Sequence, residues 1–85
     1  MKKFTVLWQE KAEAELANIW DNAADRNRIA DDANAIDRML AESGDKVGES
    51  RDNSERVVFQ GGLAAQYRVW VEDRRIMVQK VWFVG

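Results

Sequence analysis

The sequence predicts a small α+β domain in the order β-α-α-β-β-β, with an αα-hairpin packed on one face of an antiparallel sheet. Three observations predict it. Residues 65–71 and 76–84 are rich in β-branched and aromatic side chains and alternate in character, as a half-buried sheet requires. The middle of the chain carries two apolar stripes at helical spacing. Only a few residues separate those stripes, the length that joins two antiparallel helices.

The elements follow in order. Lys3 to Trp8 reads as a short strand with Phe4, Val6 and Trp8 on one side. Gln9 to about Ala23 reads as a helix whose stripe is Ala12, Leu16, Ile19, Trp20 and Ala23. Trp8 and Trp20 are both expected in the core. Asp25 is placed to cap a second helix, Arg26 to Glu42, with Ile29, Ala33, Ile36 and Leu40 as its apolar stripe. Gly44 stands where a left-handed C-cap is expected. Ser43 to Ser54 has no apolar period and reads as an ordered but mobile loop. Glu55 to Gln60 is a strand, and Gly61-Gly62 is a tight-turn signal leading into the next. Ala65–Val71 and Ile76–Val84 then form a hairpin around the charged loop Glu72-Asp73-Arg74-Arg75. Strict alternation puts Tyr67, Val69 and Val71 on one face and Gln66, Arg68 and Trp70 on the other. On the last strand it groups Ile76, Val78, Lys80, Trp82 and Val84 against Met77, Gln79, Val81 and Phe83.

Composition narrows the function. The 85 residues make one domain, 1–85, and 46% hydrophobic content is enough for a core. With no cysteine there is neither disulfide nor thiolate chemistry, and with no histidine the commonest acid–base group and metal ligand are gone. No metal and no cofactor is expected. The apolar run Phe4–Trp8 is too short for a signal peptide or a membrane span, so no membrane partner is expected and the location expected is cytoplasmic. The net charge of −2 conceals an asymmetry. Residues 9–50 carry five basic groups against eleven acids, while residues 1–8 and 51–85 are each net +2. Either a basic functional face is backed by an acidic one, or the helix surfaces simply collect Asp and Glu.

No familiar catalytic motif is present. Gly61-Gly62 joins two strands and opens no helix, so it is not a phosphate loop. Asp31 and Asp32 diverge at adjacent helical positions and read as a solvated face. Ser43, Ser50 and Ser54 lack a histidine partner. The arginines of the second half carry more. Arg51 lies in the long loop, Arg56 opens a strand, Arg68 is mid-strand and Lys80 is on the last strand. Were Arg56, Arg68 and Lys80 to share an open sheet face with Trp70 or Trp82, that face would hold phosphate and stack a base. Guanidinium groups also stabilise the transition state of RNA cleavage. The alternative is a solvated face whose arginines are neutralised by Glu55, Glu72 and Asp73. Trp70 and Trp82 are open between core, stacking platform and protein interface.

Taken together, several stretches resemble one family. They are Phe4-Thr5-Val6-Leu7-Trp8, Ala12-x-x-Glu15-Leu16-x-x-Ile19-Trp20, Ile36-Asp37-x-x-Leu40 and Val47-Gly48-Glu49-Ser50-Arg51. Arg56-Val57-Val58-Phe59, Tyr67-Arg68-Val69 and Asp73-Arg74-x-Ile76-x-Val78-x-x-Val81-Trp82 continue the pattern. In this order they resemble the RelE/ParE toxins of type II toxin–antitoxin modules, in the short branch often labelled plasmid-stabilisation protein.

The resemblance implies a growth-inhibiting toxin neutralised by a cognate antitoxin, alone as a homodimer or within a toxin–antitoxin hetero-oligomer. RelE-like members cleave messenger RNA on the ribosome and ParE-like members poison DNA gyrase. An endoribonuclease of this kind implies Arg51, Arg56 and Arg68 as its catalytic groups. Aligned through the hairpin loop, Gln66 or Tyr67 falls near the usual arginine, with Arg68 one position off, and the residues stop at Gly85 without the late Tyr or His of the ribonucleases. The expectation is therefore a toxin that binds a protein target, gyrase-like, with mRNA cleavage as the alternative and a non-toxic binding module as a third reading. Trp70, Lys80, Trp82 and Phe83 are the residues expected to bind a partner, with Trp82-Phe83-Val84 as a sheet edge or an antitoxin groove.

Overall fold

The computed structural model describes residues 3–46, 49–50 and 55–85. Strand β1 (Thr5–Trp8) leads into helices α1 (Glu10–Asn22) and α2 (Arg26–Ser43). Strands β2 (Glu49–Ser50), β3 (Glu55–Gln60), β4 (Leu63–Trp70) and β5 (Arg75–Phe83) follow. They form one sheet in the order β1-β5-β4-β3-β2. The short β2 is an addition to the expected order and lies inside the stretch read as a loop; residues 47–48 and 51–54 of that stretch lie outside the described residues.

The strands β2 to β5 are antiparallel throughout, but β1 pairs with β5 in parallel, so the sheet is mixed rather than antiparallel. The helix pair explains this. The Gln9 N–H donates to the Val78 carbonyl (2.9 Å) and α1 runs on beside β5. Helix α2 then returns, bringing the Ala41 carbonyl to the Phe4 N–H (2.8 Å). Strand β3 then runs in the same sense as β1, and the antiparallel steps from β3 to β4 and from β4 to β5 leave β5 running with β1.

Asp25 caps α2 as its sequence position predicts, its side chain accepting the Arg28 N–H at 3.1 Å. Gly44 differs from expectation. It is right-handed, with φ −59° and ψ −24°, and its value lies in packing. A Cβ there would collide with the Ile76 side chain and meet the Leu40 carbonyl oxygen at 2.7 Å. The turn after β3 has its positive φ at Gly61 alone (+58°), the pattern of a type II′ hairpin turn. The second hairpin turn falls on residues 71–74, one position earlier than the charged run indicates, with Arg74 at φ +54° and Arg75 already paired with Trp70.

Both helices pack on one face. Phe4, Ala12, Ile29, Ile36, Leu40, Val58, Leu63, Ala65, Tyr67, Ile76, Val78 and Val81 form the centre of the core, with Val6, Trp8, Leu16 and Ile19 packed against it. Strict alternation fails on β5. Tyr67 pairs with Val78 and Gln66 with Lys80, so Gln79 is an extra residue, a β-bulge. Beyond it the faces exchange: Val81 is buried, and Lys80 and Trp82 go to the opposite face from Ile76 and Val78.

Two charged side chains tie the layers together. Asp32 is not solvated; it is 8% exposed and accepts the Gly62 N–H at 3.0 Å, fastening the β3–β4 turn to α2. Glu15 accepts the Val81 N–H at 2.9 Å. Strand β1 pairs with β5 only from Arg75 to Val78, so the Glu15 carboxylate serves a β5 donor that β1 does not reach. Among the described residues no helix is long and apolar enough to cross a membrane.

Candidate functional site

The register fixes which side chains share the face that the helices leave uncovered. Residues directly opposite across paired strands share a face. One row is Phe59, Ala64 and Trp82, the next is Val57, Gln66 and Lys80, and the third is Glu55, Arg68 and Met77. Trp70 and Arg75 follow, and β1 adds Leu7 opposite Met77 and Thr5 opposite Arg75. This face is apolar at one end and cationic at the other. Phe59 is 54% exposed and Trp82 37%, while Ala64 between them is fully buried. At the cationic end the guanidinium carbons of Arg68 and Arg75 lie 5.5 Å and 5.1 Å from the centroid of the Trp70 ring.

Of the residues expected to bind a partner, Trp70, Lys80 and Trp82 are therefore on this face. Phe83 is not. It pairs with Leu63, points to the helix side, and lines a hollow with Ile19, Asn22, Asp25 and Arg28 at the end where the two helices are joined. Arg75 also belongs to this face, although its place in the charged run predicts a loop. Trp70 beside it, across the turn, was the available signal.

The three arginines offered for catalysis do not share one face. Arg68 is opposite Glu55, on the uncovered side, while Arg56 is opposite Tyr67, on the helix side. Arg51 lies outside the described residues. Tyr67 is fully buried, and its hydroxyl donates to the Gly44 carbonyl at 2.9 Å while the Arg56 guanidinium donates to it. Burial pushes this hydroxyl up from its ordinary value of 10.0; hydrogen bonding and the charge of Arg56 oppose the shift, and nearby Asp45 adds to it.

A second concave feature lies between the helices, a groove of about 600 Å³ with Trp8 and Trp20 among its walls and Leu16 and Ile29 in its apolar lining. Glu13 and Asp37 also line it. The Trp8 indole donates to Asp37 at 3.1 Å. Trp20, expected in the core, is 41% exposed because it stands on the groove side of α1, with Arg26 stacked 4.7 Å from its ring centroid.

A two-helix hairpin on one face of a sheet whose first strand lies beside its last defines the RelE/ParE toxin fold. The chain is similar over its full length, and over 100% of the matched chain, to a chain of the chromosomal ParDE TA system from P. aeruginosa, with 17% identity and a TM-score of 0.74. It is similar over 98% of its length, and 93% of the matched chain, to a chain of the toxin–antitoxin complex RelBE2 from Mycobacterium tuberculosis, with 17% identity and a TM-score of 0.78. No protein-family model matches the chain, and no curated protein does.

Proposed function

We propose that this chain is the toxin of a type II toxin–antitoxin module, that it inhibits growth by binding a protein target of the DNA gyrase kind, and that a cognate antitoxin neutralises it. The toxin reading is supported by the likeness to two toxin–antitoxin systems, one of each branch. The preference for a protein target is supported chiefly by one observation: Arg56 and Arg68 stand on opposite faces of the sheet. A phosphodiester-cleaving site needs its cations around one reacting group. The face that holds Arg68 instead offers exposed Leu7, Phe59 and Trp82, the kind of surface that proteins bind.

The test is induced expression in a bacterium with newly made DNA, RNA and protein labelled in parallel. The expected result is growth arrest in which DNA synthesis falls first. Protein synthesis falling first would overturn the gyrase-type reading and favour ribosome-dependent mRNA cleavage by Arg51, Arg56 and Arg68. That second reading is favoured by the Arg56–Tyr67 hydrogen bond, which places a cation beside a hydroxyl. Unimpaired growth with soluble protein present would favour a non-toxic binding module.

A further inference from the structure

We infer that the groove between α1 and α2 docks a helix of a partner protein, apolar along one stripe and basic at one end of that stripe. This rests on the partner-binding reading above and goes beyond it by adding a second surface and naming the chemistry of its occupant.

The shape of the groove fits a helix. Glu13, Leu16 and Trp20 line it from α1, and Ile29, Ala33 and Asp37 line it from α2. Steps of three and four residues keep to one side of a helix, so each helix offers the groove a continuous stripe about two turns long, roughly 10 Å. A trough of that length and of about 600 Å³ takes two turns of a third helix with their side chains. Its floor is apolar, since Ile29 and Ala33 are buried, and Ala17 and Ala30 at its rims are small enough to let another helix come close. Trp20, 41% exposed, adds an aromatic wall of the kind that anchors protein interfaces.

Charge sets the rest of the ligand. Because α2 returns beside α1, Glu13 near the start of one helix and Asp37 near the end of the other come to the same end of the groove, where Trp8 forms a wall. Both acids are exposed. Asp37 accepts the Trp8 indole N–H through one oxygen, at 3.1 Å, and among the described residues neither acid is in an ion pair. Lys11 and Arg38 stand near them in sequence but do not line the groove, and Arg26 is held over Trp20 at the opposite end, 4.7 Å from its ring centroid. A Lys or Arg of the partner at the Trp8 end therefore meets two carboxylates, while apolar residues one and two turns further along meet Leu16 and Trp20.

Charge also separates the two surfaces of the molecule. Residues 9–50, which include both helices, carry five basic groups against eleven acids, so the helical layer as a whole attracts a basic partner and repels an acidic one. The uncovered face of the sheet carries Lys80 and Arg75, which turn a basic helix away from it. The acids that line the groove oppose phosphate, so protein is favoured there over nucleic acid.

The experiment is a titration of the isotopically labelled chain followed through the indole N–H signals of its four tryptophans. Three helical peptides are compared: one with Leu along a two-turn stripe and Lys at one end of it, the same peptide with Glu for Lys, and one of the first composition with the stripe scrambled. The expected result is that the Lys/Leu peptide shifts Trp8 and Trp20 and leaves Trp70 and Trp82 in place. Glu13→Gln combined with Asp37→Asn, which keeps an acceptor for the Trp8 indole, should weaken it about tenfold. Ala30→Gln, a longer side chain at an exposed helical position on the rim, should also weaken it about tenfold. In each variant the unmoved signals of Trp70 and Trp82 report that the fold is kept. Equal binding of the Glu or the scrambled peptide, shifts confined to Trp70 and Trp82, binding unchanged in both variants, or no binding at all would each overturn the inference. Failure of the toxin reading is separate. A chain that binds the Lys/Leu peptide without arresting growth keeps the docking groove and loses the toxin; arrest without such binding does the reverse.

Discussion

The neighbouring acids Asp31 and Asp32 give a contrast in which one carboxylate is structural and the other is not. Asp31 is exposed. Asp32 is 8% exposed and its Oδ2 accepts the Gly62 N–H at 3.0 Å, and Gly62 is itself buried. Asp32→Ala removes the acceptor and leaves a buried N–H without a partner, at a cost of about 1–3 kcal/mol. The Arg28 contact adds little, because its Nε is 3.9 Å from Oδ2 and half of the arginine side chain is in solvent. For a domain of this size about 2 kcal/mol lowers Tm by roughly 8–16 °C. Asp31→Ala and Arg28→Ala should each stay within about 0.5 kcal/mol of the parent. The assay is urea unfolding followed by tryptophan fluorescence and circular dichroism, with hydrogen exchange at Gly62 as the local readout. Asp32→Ala should unfold at lower urea with unchanged slope, and the Gly62 amide should exchange faster. If Asp32→Ala and Asp31→Ala unfold together, or Gly62 exchange is unmoved, the turn is not held by Asp32 and the reasoning fails.

Further predictions concern the same framework. The single tyrosine allows its phenolate to be read without interference from another: in the native state the absorbance should appear only above pH 10.0, and in urea near it. Because burial raises the folded value, the stabilisation is complete below pH 10.0 and is lost as pH rises through the folded value; native ionisation at or below 10.0 would refute this. Tyr67→Phe should cost about 1–2 kcal/mol in urea unfolding through the lost bond to Gly44. Gly44→Ala should cost about 1–3 kcal/mol despite its helical φ, since the new methyl meets Ile76; a neutral result would show that the contact gives way. Glu15→Ala should speed exchange at Val81 while Glu15→Gln, which keeps an acceptor, should largely preserve protection.

The sequence was legible where one local signal dominates. The Asp25 cap and the stripe of Ile29, Ala33, Ile36 and Leu40 placed α2 within one residue of its observed end, and Phe4, Val6 and Trp8 face the core as alternation requires. Errors came where a tertiary contact decided the matter. Gly44 was read from backbone propensity, but the Ile76 side chain gives the reason for a glycine there. Trp20 was read from its place on an apolar stripe, but the cleft between the helices leaves it on a groove wall. Asp32 looked solvated until the β3–β4 turn closed over it. The candidate site was partly legible: Trp70, Lys80 and Trp82 share a face, but the composition that marked Arg56 and Arg68 carried no sign that adjacent pairing partners, Tyr67 and Glu55, would send them to opposite sides.

Gln79 shows how much rests on a count of residues. Were Gln79 paired like its neighbours instead of bulged, continuous alternation would carry Lys80 and Trp82 under the helices and turn Val81 outward. The core would receive a charge, and the surface offered to partners would lose both its lysine and its tryptophan. Deleting Gln79 would remove the bulge and leave Lys80, Val81 and Trp82 on their present faces, since Gln66–Lys80 would follow Tyr67–Val78 as the next regular pair. Core and outer face on the strand's second half therefore depend on how the backbone sets one residue aside, not on which side chain that residue carries.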